Sequence, residues 1–266
     1  MRYAVCLRVI VRNEGGRKHE MSYEILKRHR EIWQKKKVLR DIYHDWYRLI
    51  IENMADNRPA LEIGSGGGNF KEFFPDVISS DYTFCEWIDL NLDAHALPFR
   101  QNSLGNIIFI DVLHHLANPV LFLSEAQRVL QNNGRLIMLE PYISPFSYII
   151  YNYFHQEDVD FKIDVWNKRI ASDNKKAAFD GNSAIPTLMF SKEIERFRKE
   201  FRELKVIKND LLTFILYPLS GGFDRKSFVS AGMVKYIGFI EKIIRPFGLF
   251  FAFRTFIVIE KSKKKS

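Results

Sequence analysis

Residues 60–68 read Ala-Leu-Glu-Ile-Gly-Ser-Gly-Gly-Gly, a short apolar strand that breaks into a glycine loop. An acid, Glu62, stands two positions before the first glycine, and Gly64, Gly66 and Gly68 fall at every second position. Glycine lacks Cβ and tolerates positive φ, so the backbone of such a loop can approach a ligand closely. A helix expected from about Asn69 would aim its free N–H groups and positive dipole end at that ligand. The dinucleotide pattern Gly-x-Gly-x-x-Gly fails, because the sixth position from Gly64 is Asn69. A phosphate loop of the Gly-Lys-Ser/Thr type is excluded too, since the first lysine is Lys71. A glycine-rich turn with no ligand is the plain alternative, and the segments downstream of the loop decide against it.

Val77-Ile78-Ser79-Ser80-Asp81 reads as a second strand ending in an acid, with Tyr82 next to it. A carboxylate there can accept from both hydroxyls of a ribose. Glu86 to Leu92 alternates as a third strand and runs into Asp93-Ala94-His95-Ala96-Leu97-Pro98-Phe99. A fourth apolar strand, Asn106 to Ile110, ends at Asp111-Val112-Leu113-His114-His115. Pro119 to Leu130 carries helical spacing, Gly134 stops it, and Arg135 to Leu139 opens a fifth strand.

The pattern Glu-x-Gly-x-Gly-x-Gly, followed by Asp81, by Asp93-Ala94-x-x-Leu-Pro-Phe and by Arg128-Val129-Leu130-x-x-x-Gly134-x-Leu136, resembles class I S-adenosylmethionine-dependent methyltransferases over about residues 58–142. It looks most like their small-molecule branch, which includes ubiquinone- and menaquinone-type enzymes. The resemblance implies an α/β, doubly wound, mostly parallel seven-stranded Rossmann-like sheet whose last strand is antiparallel. It also implies S-adenosylmethionine as cofactor. Glu62 would hold the amino-acid end; Gly64, Ser65, Gly66 and Gly68 the backbone; Asp81 and Tyr82 the ribose side. Asp93 and Ala94 would bracket the adenine, and Asp111 and Val112 would flank the methionine part. The stretch after Asp81 is too short for a full helix, so the adenine side is expected to be open.

Charge and composition narrow the partners. The net charge is +8, and hydrophobic residues make up 47% of the 266, enough for a large core. Two cysteines without a Cys-x-x-Cys support neither a disulfide framework nor a structural zinc site, and fit a cytoplasmic setting. No stretch reaches the roughly 18 apolar residues of a membrane span. Between Ile25 and Leu49, apolar residues recur at three-to-four spacing beside Lys27, Arg28, Arg30, Lys35, Lys36, Lys37 and Arg40. That basic face reads as a solvated surface, as a contact with an anionic membrane or substrate, or as a grip on nucleic acid, the last lacking any basic–aromatic interleaving.

The chain divides into a leader and N-terminal helical cap (1–57), a domain at 58–260 with helical insertions at about 143–200 and 217–250, and a basic tail at 261–266. Leu204 to Phe214 and Phe253 to Glu260 are the expected sixth and seventh strands. Ligands of such sheets bind beyond the strands' carboxyl ends. Methyl transfer needs alignment and exclusion of water more than a dedicated base. Candidate bases are nonetheless His114, His115 and Glu140, each at a strand end, with packing or solvation as the alternative role. Tyr142, His155 and Glu157 are candidate acceptor contacts, and no metal is expected. The surplus of aromatic residues serves helical packing or lines a pocket for a bulky, apolar or lipid-linked acceptor, and the basic balance suits peripheral contact with an anionic membrane. The expected activity is O- or C-transfer to a small or lipid-like acceptor, with nucleic-acid methylation or a non-catalytic S-adenosylmethionine-binding scaffold as the alternatives.

Overall fold

The computed structural model describes residues 16–55, 59–154, 157–167 and 181–263, with the side chains of 16–19 and 154 excepted. Seven strands form one sheet in the order β3-β2-β1-β4-β5-β7-β6: β1 Ala60–Ile63, β2 Ile78–Asp81, β3 Leu90–Asn91, β4 Leu104–Ile110, β5 Leu130–Pro141, β6 Leu204–Leu212 and β7 Arg254–Lys261. The first five are parallel, and β7 inserts antiparallel between β5 and β6. This is the expected class I architecture, with strand order reversing between β1 and β4.

The central strands alternate between two buried faces. Ile107, Phe109, Leu136, Met138, Ile257 and Ile259 point into one core with Phe122, Leu123 and Ala126 of α3 (Pro119–Val129). Ile108, Ile137, Phe256 and Val258 point the other way. There they meet Trp33 of α1 (Gly16–Lys35) and Leu39, Ile42, Trp46 and Ile50 of α2 (Lys37–Glu52). A period of two along each strand therefore supplies both layers.

Several local expectations are corrected. The helix expected from Asn69 is a four-residue 3-10 turn, Asn69–Glu72. Pro75 disfavours helical geometry at Phe74, so little chain is left to propagate one. With so short a turn, no helix dipole points into the glycine loop. The third strand keeps only Leu90–Asn91, because the Asp89 carboxylate takes the Ser79 N–H and hydroxyl and bends the preceding chain. Among the described residues of 58–142, α3 is the one α-helix, so α1 and α2 cover the face that crossover helices would have covered. The described part of the N-terminal cap begins with α1 at Gly16. Lys261 closes β7 with its ammonium on the Leu130 carbonyl rather than opening a solvated tail.

The insertions are α4 (Pro145–Phe154), a single turn α5 (Ile185–Thr187) leading through a π-turn to α6 (Ile194–Glu200), then α7 (Leu216–Ser220), α8 (Val234–Ile244) and α9 (Gly248–Phe251). The last three lie between β6 and β7. They therefore sit at the end of the sheet where the parallel strands finish.

Candidate functional site

Gly64, Gly66 and Gly68 all take positive φ (67°, 51° and 72°), the conformation for which glycine was expected. A Cβ on Gly64 would fall 2.4 Å from Val112 Cγ2, so the loop can lie against the end of β4 only because position 64 has no side chain. Ser65 ties the loop to its neighbours: its hydroxyl donates to Glu62 Oε2 (2.7 Å) and accepts from the Ser80 N–H (3.0 Å).

Two carboxylates face this loop. Glu62 is buried, and that burial pushes its carboxyl up to about 7; the Ser65 hydrogen bond opposes the shift and nearby Asp81 adds to it. Asp81 accepts from Gly66 N–H at one oxygen and Thr83 N–H at the other, both at 2.9 Å. Burial still raises its carboxyl above the usual range. The two acids thus stand in place at the switch point of the sheet.

Other expected contacts are arranged differently. The Asp93 carboxylate is committed to His95, taking its backbone N–H (2.9 Å) and its ring Nδ1 (2.7 Å). His95 Nε2 in turn meets the Asn118 N–H at the start of α3 (3.1 Å). Asp93 therefore fastens a turn, while Ala94 is buried beside it. Arg128 secures the same segment, donating to the carbonyls of Leu97 and Phe99. Tyr82 is largely exposed, and its carbonyl accepts from Asn91.

The side expected to be open is roofed by α1. Trp87 donates from its indole N–H to the Gly66 carbonyl (2.8 Å), and Arg30 donates to the Gly67 carbonyl. The Arg30 guanidinium also lies over the Trp87 ring, 5.3 Å from its centroid. Neither residue was expected at the site; the short stretch after Asp81 was the available signal, since something must fill the space a helix leaves.

At the end of β4, Asp111 takes a φ of 58° and pairs with the buried Arg254 guanidinium at the start of β7. Arg254 lies 4.5 Å from the Tyr217 ring centroid and 5.4 Å from that of Trp46. Asp111 is thus half of an ion pair that spacing did not reveal. An arginine opening a strand whose centre, Phe256 to Ile259, is apolar was the trace of it in the sequence.

His114, His115, Glu140 and Glu157 do come together. Glu140, fully buried, accepts the Val112 and Leu113 N–H groups on Oε1 (2.8 Å each) and meets His114 Nδ1 on Oε2 (2.6 Å). His114 Nε2 lies 3.2 Å from Glu157 Oε2, and His115 Nε2 lies 3.5 Å from Glu157 Oε1. Burial alone would lower the His114 pKa, but the two carboxylates outweigh it and raise it to about 10. In this arrangement the two carboxylates favour the protonated form of His114. Tyr142 packs with Phe214 and Ala252 in an apolar cluster. His155 lies outside the described residues.

Parts of the chain are similar to known proteins. Residues 61–138, β1 through most of β5, match a family described as a methyltransferase domain. An S-adenosylmethionine-dependent methyltransferase from Archaeoglobus fulgidus superposes with a TM-score of 0.50 at 17% identity, covering 87% of this chain and 98% of that one. A geranyl diphosphate C-methyltransferase from Streptomyces coelicolor gives a TM-score of 0.49 at 13% identity, covering 87% and 84%. An uncharacterized 37.1 kDa protein in transposon TN4556 of Streptomyces fradiae is 45% identical over 49 residues, 18% of this chain and 14% of that protein's length.

Proposed function

From a chain that carries an S-adenosylmethionine-dependent methyltransferase domain on a class I fold, we propose that the protein methylates a lipid-like acceptor, at oxygen or carbon, at the surface of an anionic membrane. The cofactor supplies a methyl group on a sulfonium, an electrophile with a neutral leaving group. Transfer of that methyl group to an acceptor's electron pair would release the neutral thioether, and the acceptor's proton would pass to solvent or a nearby carboxylate.

The cradle suits that cofactor. Gly64 has no room for a Cβ, Glu62 offers a carboxylate to an ammonium, and Asp81 keeps free lone pairs on oxygens already oriented by backbone N–H groups. An Asp81→Ala variant is expected to bind S-adenosylhomocysteine about 1–3 kcal/mol more weakly by calorimetry, the scale of a lost charge-assisted hydrogen bond. Unchanged affinity would remove Asp81 from the site.

The observation that carries the acceptor reading is a helix that is apolar toward solvent as well as toward the core, where Val234, Ile237 and Ile244 of α8 pack. In α8 the acid, Glu241, turns inward and accepts the N–H groups of Phe214, Ile215 and Leu216 (2.7–2.9 Å), while Tyr236, Phe239 and Ile243 face solvent at 75%, 66% and 61% exposure. Leu249 and Phe250 of α9 continue the apolar face, and Lys235, Lys242 and Arg245 supply cations along it. A surface helix normally shows a polar side to water; a second apolar side facing solvent, with cations alongside, suits the interface of an anionic bilayer. No helix among the described residues is long and apolar enough to cross a membrane. Residue 251 ends α9 three positions before Arg254, so this face adjoins the crevice. The segment Arg128-Val129-Leu130 to Leu136 supports placing the acceptor with the ubiquinone- and menaquinone-type branch.

Vesicles containing anionic phospholipid are expected to sediment the protein, and a Phe239→Ser, Ile243→Ser variant should bind them at least about tenfold more weakly. Methyl-labelled cofactor incubated with lipid extract, water-soluble metabolites and RNA should place label in the lipid fraction. Label in RNA alone would overturn the acceptor reading.

A further inference from the structure

The two histidines at the end of β4 and the glutamate after α4 belong to a cluster that the methyl-transfer reading does not use. His114 and His115 lie in one 3-10 turn, Leu113–His115, with ring centroids 4.1 Å apart. Glu157 reaches both: Oε2 to His114 Nε2 at 3.2 Å and Oε1 to His115 Nε2 at 3.5 Å. One donor atom from each of the three residues lies within 4.8 Å of the others. We propose that His114, His115 and Glu157 form a binding site for a divalent first-row transition metal.

Dimensions support this. Metal–nitrogen and metal–oxygen bonds of about 2.0–2.2 Å at tetrahedral or octahedral angles put neighbouring donors about 3.0–3.5 Å apart. Both measured separations fall in that interval, and the use of one Glu157 oxygen toward each ring is the shape of a bidentate carboxylate. Two imidazoles and a carboxylate are borderline donors, matched to zinc, iron, cobalt or manganese rather than to calcium or magnesium.

The surroundings are those a metal site requires. A metal-bound histidine commonly gives its other ring N–H to a carboxylate, which fixes the tautomer and the ring plane. His114 Nδ1 has that partner in Glu140, whose other oxygen is pinned by two backbone N–H groups. The Ser183 hydroxyl orients Glu157 by donating to Oε2 (2.8 Å). Gly181 lets the chain close over the rings: a Cβ there would fall 2.8 Å from His115 Nδ1 and 3.0 Å from His114 Cδ2. The Asn182 N–H donates to the His114 carbonyl (2.9 Å), holding the same closure.

Charge points the same way. Two carboxylates converge on a fully buried imidazole, an excess of negative charge that a divalent cation neutralises more completely than a single proton. Two imidazole nitrogens and the two oxygens of a bidentate Glu157 would leave a six-coordinate metal two positions for exchangeable ligands, as in catalytic rather than structural sites.

The test uses the untagged 266-residue chain, stripped with chelator and titrated with Co2+, followed by its visible d–d absorption and by Zn2+ competition. About one Co2+ per chain is expected, with His115→Ala and Glu157→Gln each weakening it at least about a hundredfold and Glu140→Gln about 10–100-fold. Circular dichroism and S-adenosylhomocysteine binding report whether each variant has folded, independently of the metal. No d–d absorption and no Zn2+-dependent rise in Tm for the wild-type protein would overturn the proposal, whatever the variants do. Equal Co2+ binding by folded His115→Ala would overturn it too.

Discussion

Replacing Asp111 by asparagine is expected to lower the unfolding free energy by about 3 kcal/mol, measured by urea denaturation. Its partner Arg254 is buried, and Asp111 is the carboxylate paired with that guanidinium among the described residues. Removing one member of a buried pair leaves an uncompensated charge, a loss of about 3–5 kcal/mol. The lower end applies because Asp111 keeps 26% of its side chain exposed, so water screens the pair. Asparagine tolerates the positive φ at this position nearly as well as aspartate, so backbone strain does not enter. The reverse change, Arg254→Met, should cost less, about 1 kcal/mol, since the carboxylate left behind is partly hydrated and an unbranched apolar chain can occupy the space over Tyr217 and Trp46. Equal losses from the two variants, or a loss under about 0.5 kcal/mol for Asp111→Asn, would show that the pair is not desolvated as the geometry implies.

Cofactor affinity is expected to fall about a hundredfold between pH 7.5 and pH 5. Burial holds the Glu62 carboxyl up to about 7 in the folded protein, against 4.5 as the ordinary value. Between those values the folded state keeps a proton that the unfolded chain would release. That contribution to stability, about 3 kcal/mol for 2.5 pH units, is fully present below pH 4.5 and is lost as pH rises through 7. Cofactor binding has the opposite sign, because the ammonium we assign to Glu62 needs the carboxylate, and a proton must leave before it binds. Below pH 7 each unit therefore weakens binding by up to about tenfold. The Glu62→Gln variant should bind less tightly at pH 7.5 and lose most of the slope. A wild-type slope retained in Glu62→Gln would assign the titration to another group, with Asp81 the first to examine.

The sheet was legible from the chain because its cues are local. The central strands hold short apolar runs with turn signals beside them, and the glycine loop declares a backbone conformation that needs no partner to be recognised. Even the antiparallel last strand followed from the resemblance carried by Glu62 to Gly68. Local cues failed where a segment's state depended on what packs against it. Asn69 to Phe74 could read as a helix until Pro75 and the missing length are weighed, and Glu86 to Leu92 alternates without becoming a long strand.

Placement of Glu62, Asp81, Asp111 and the two histidines at strand ends was likewise legible, since strand termini converge in a parallel sheet. Their pairings were not. Asp111 meets Arg254 across 143 positions, His114 meets Glu140 across 26, and Arg30 reaches Gly67 across 37. Such contacts depend on how separate elements are brought together, and no spacing rule encodes that. The strands, the ligand loop and the acids that face it are written into the order of residues, because they rest on backbone preference and burial period. Packing alone settled which charges neutralise one another, that α1 roofs the loop, and that α8 leaves Tyr236, Phe239 and Ile243 facing solvent. Each of these is a property of two surfaces in contact, or of one left without a partner.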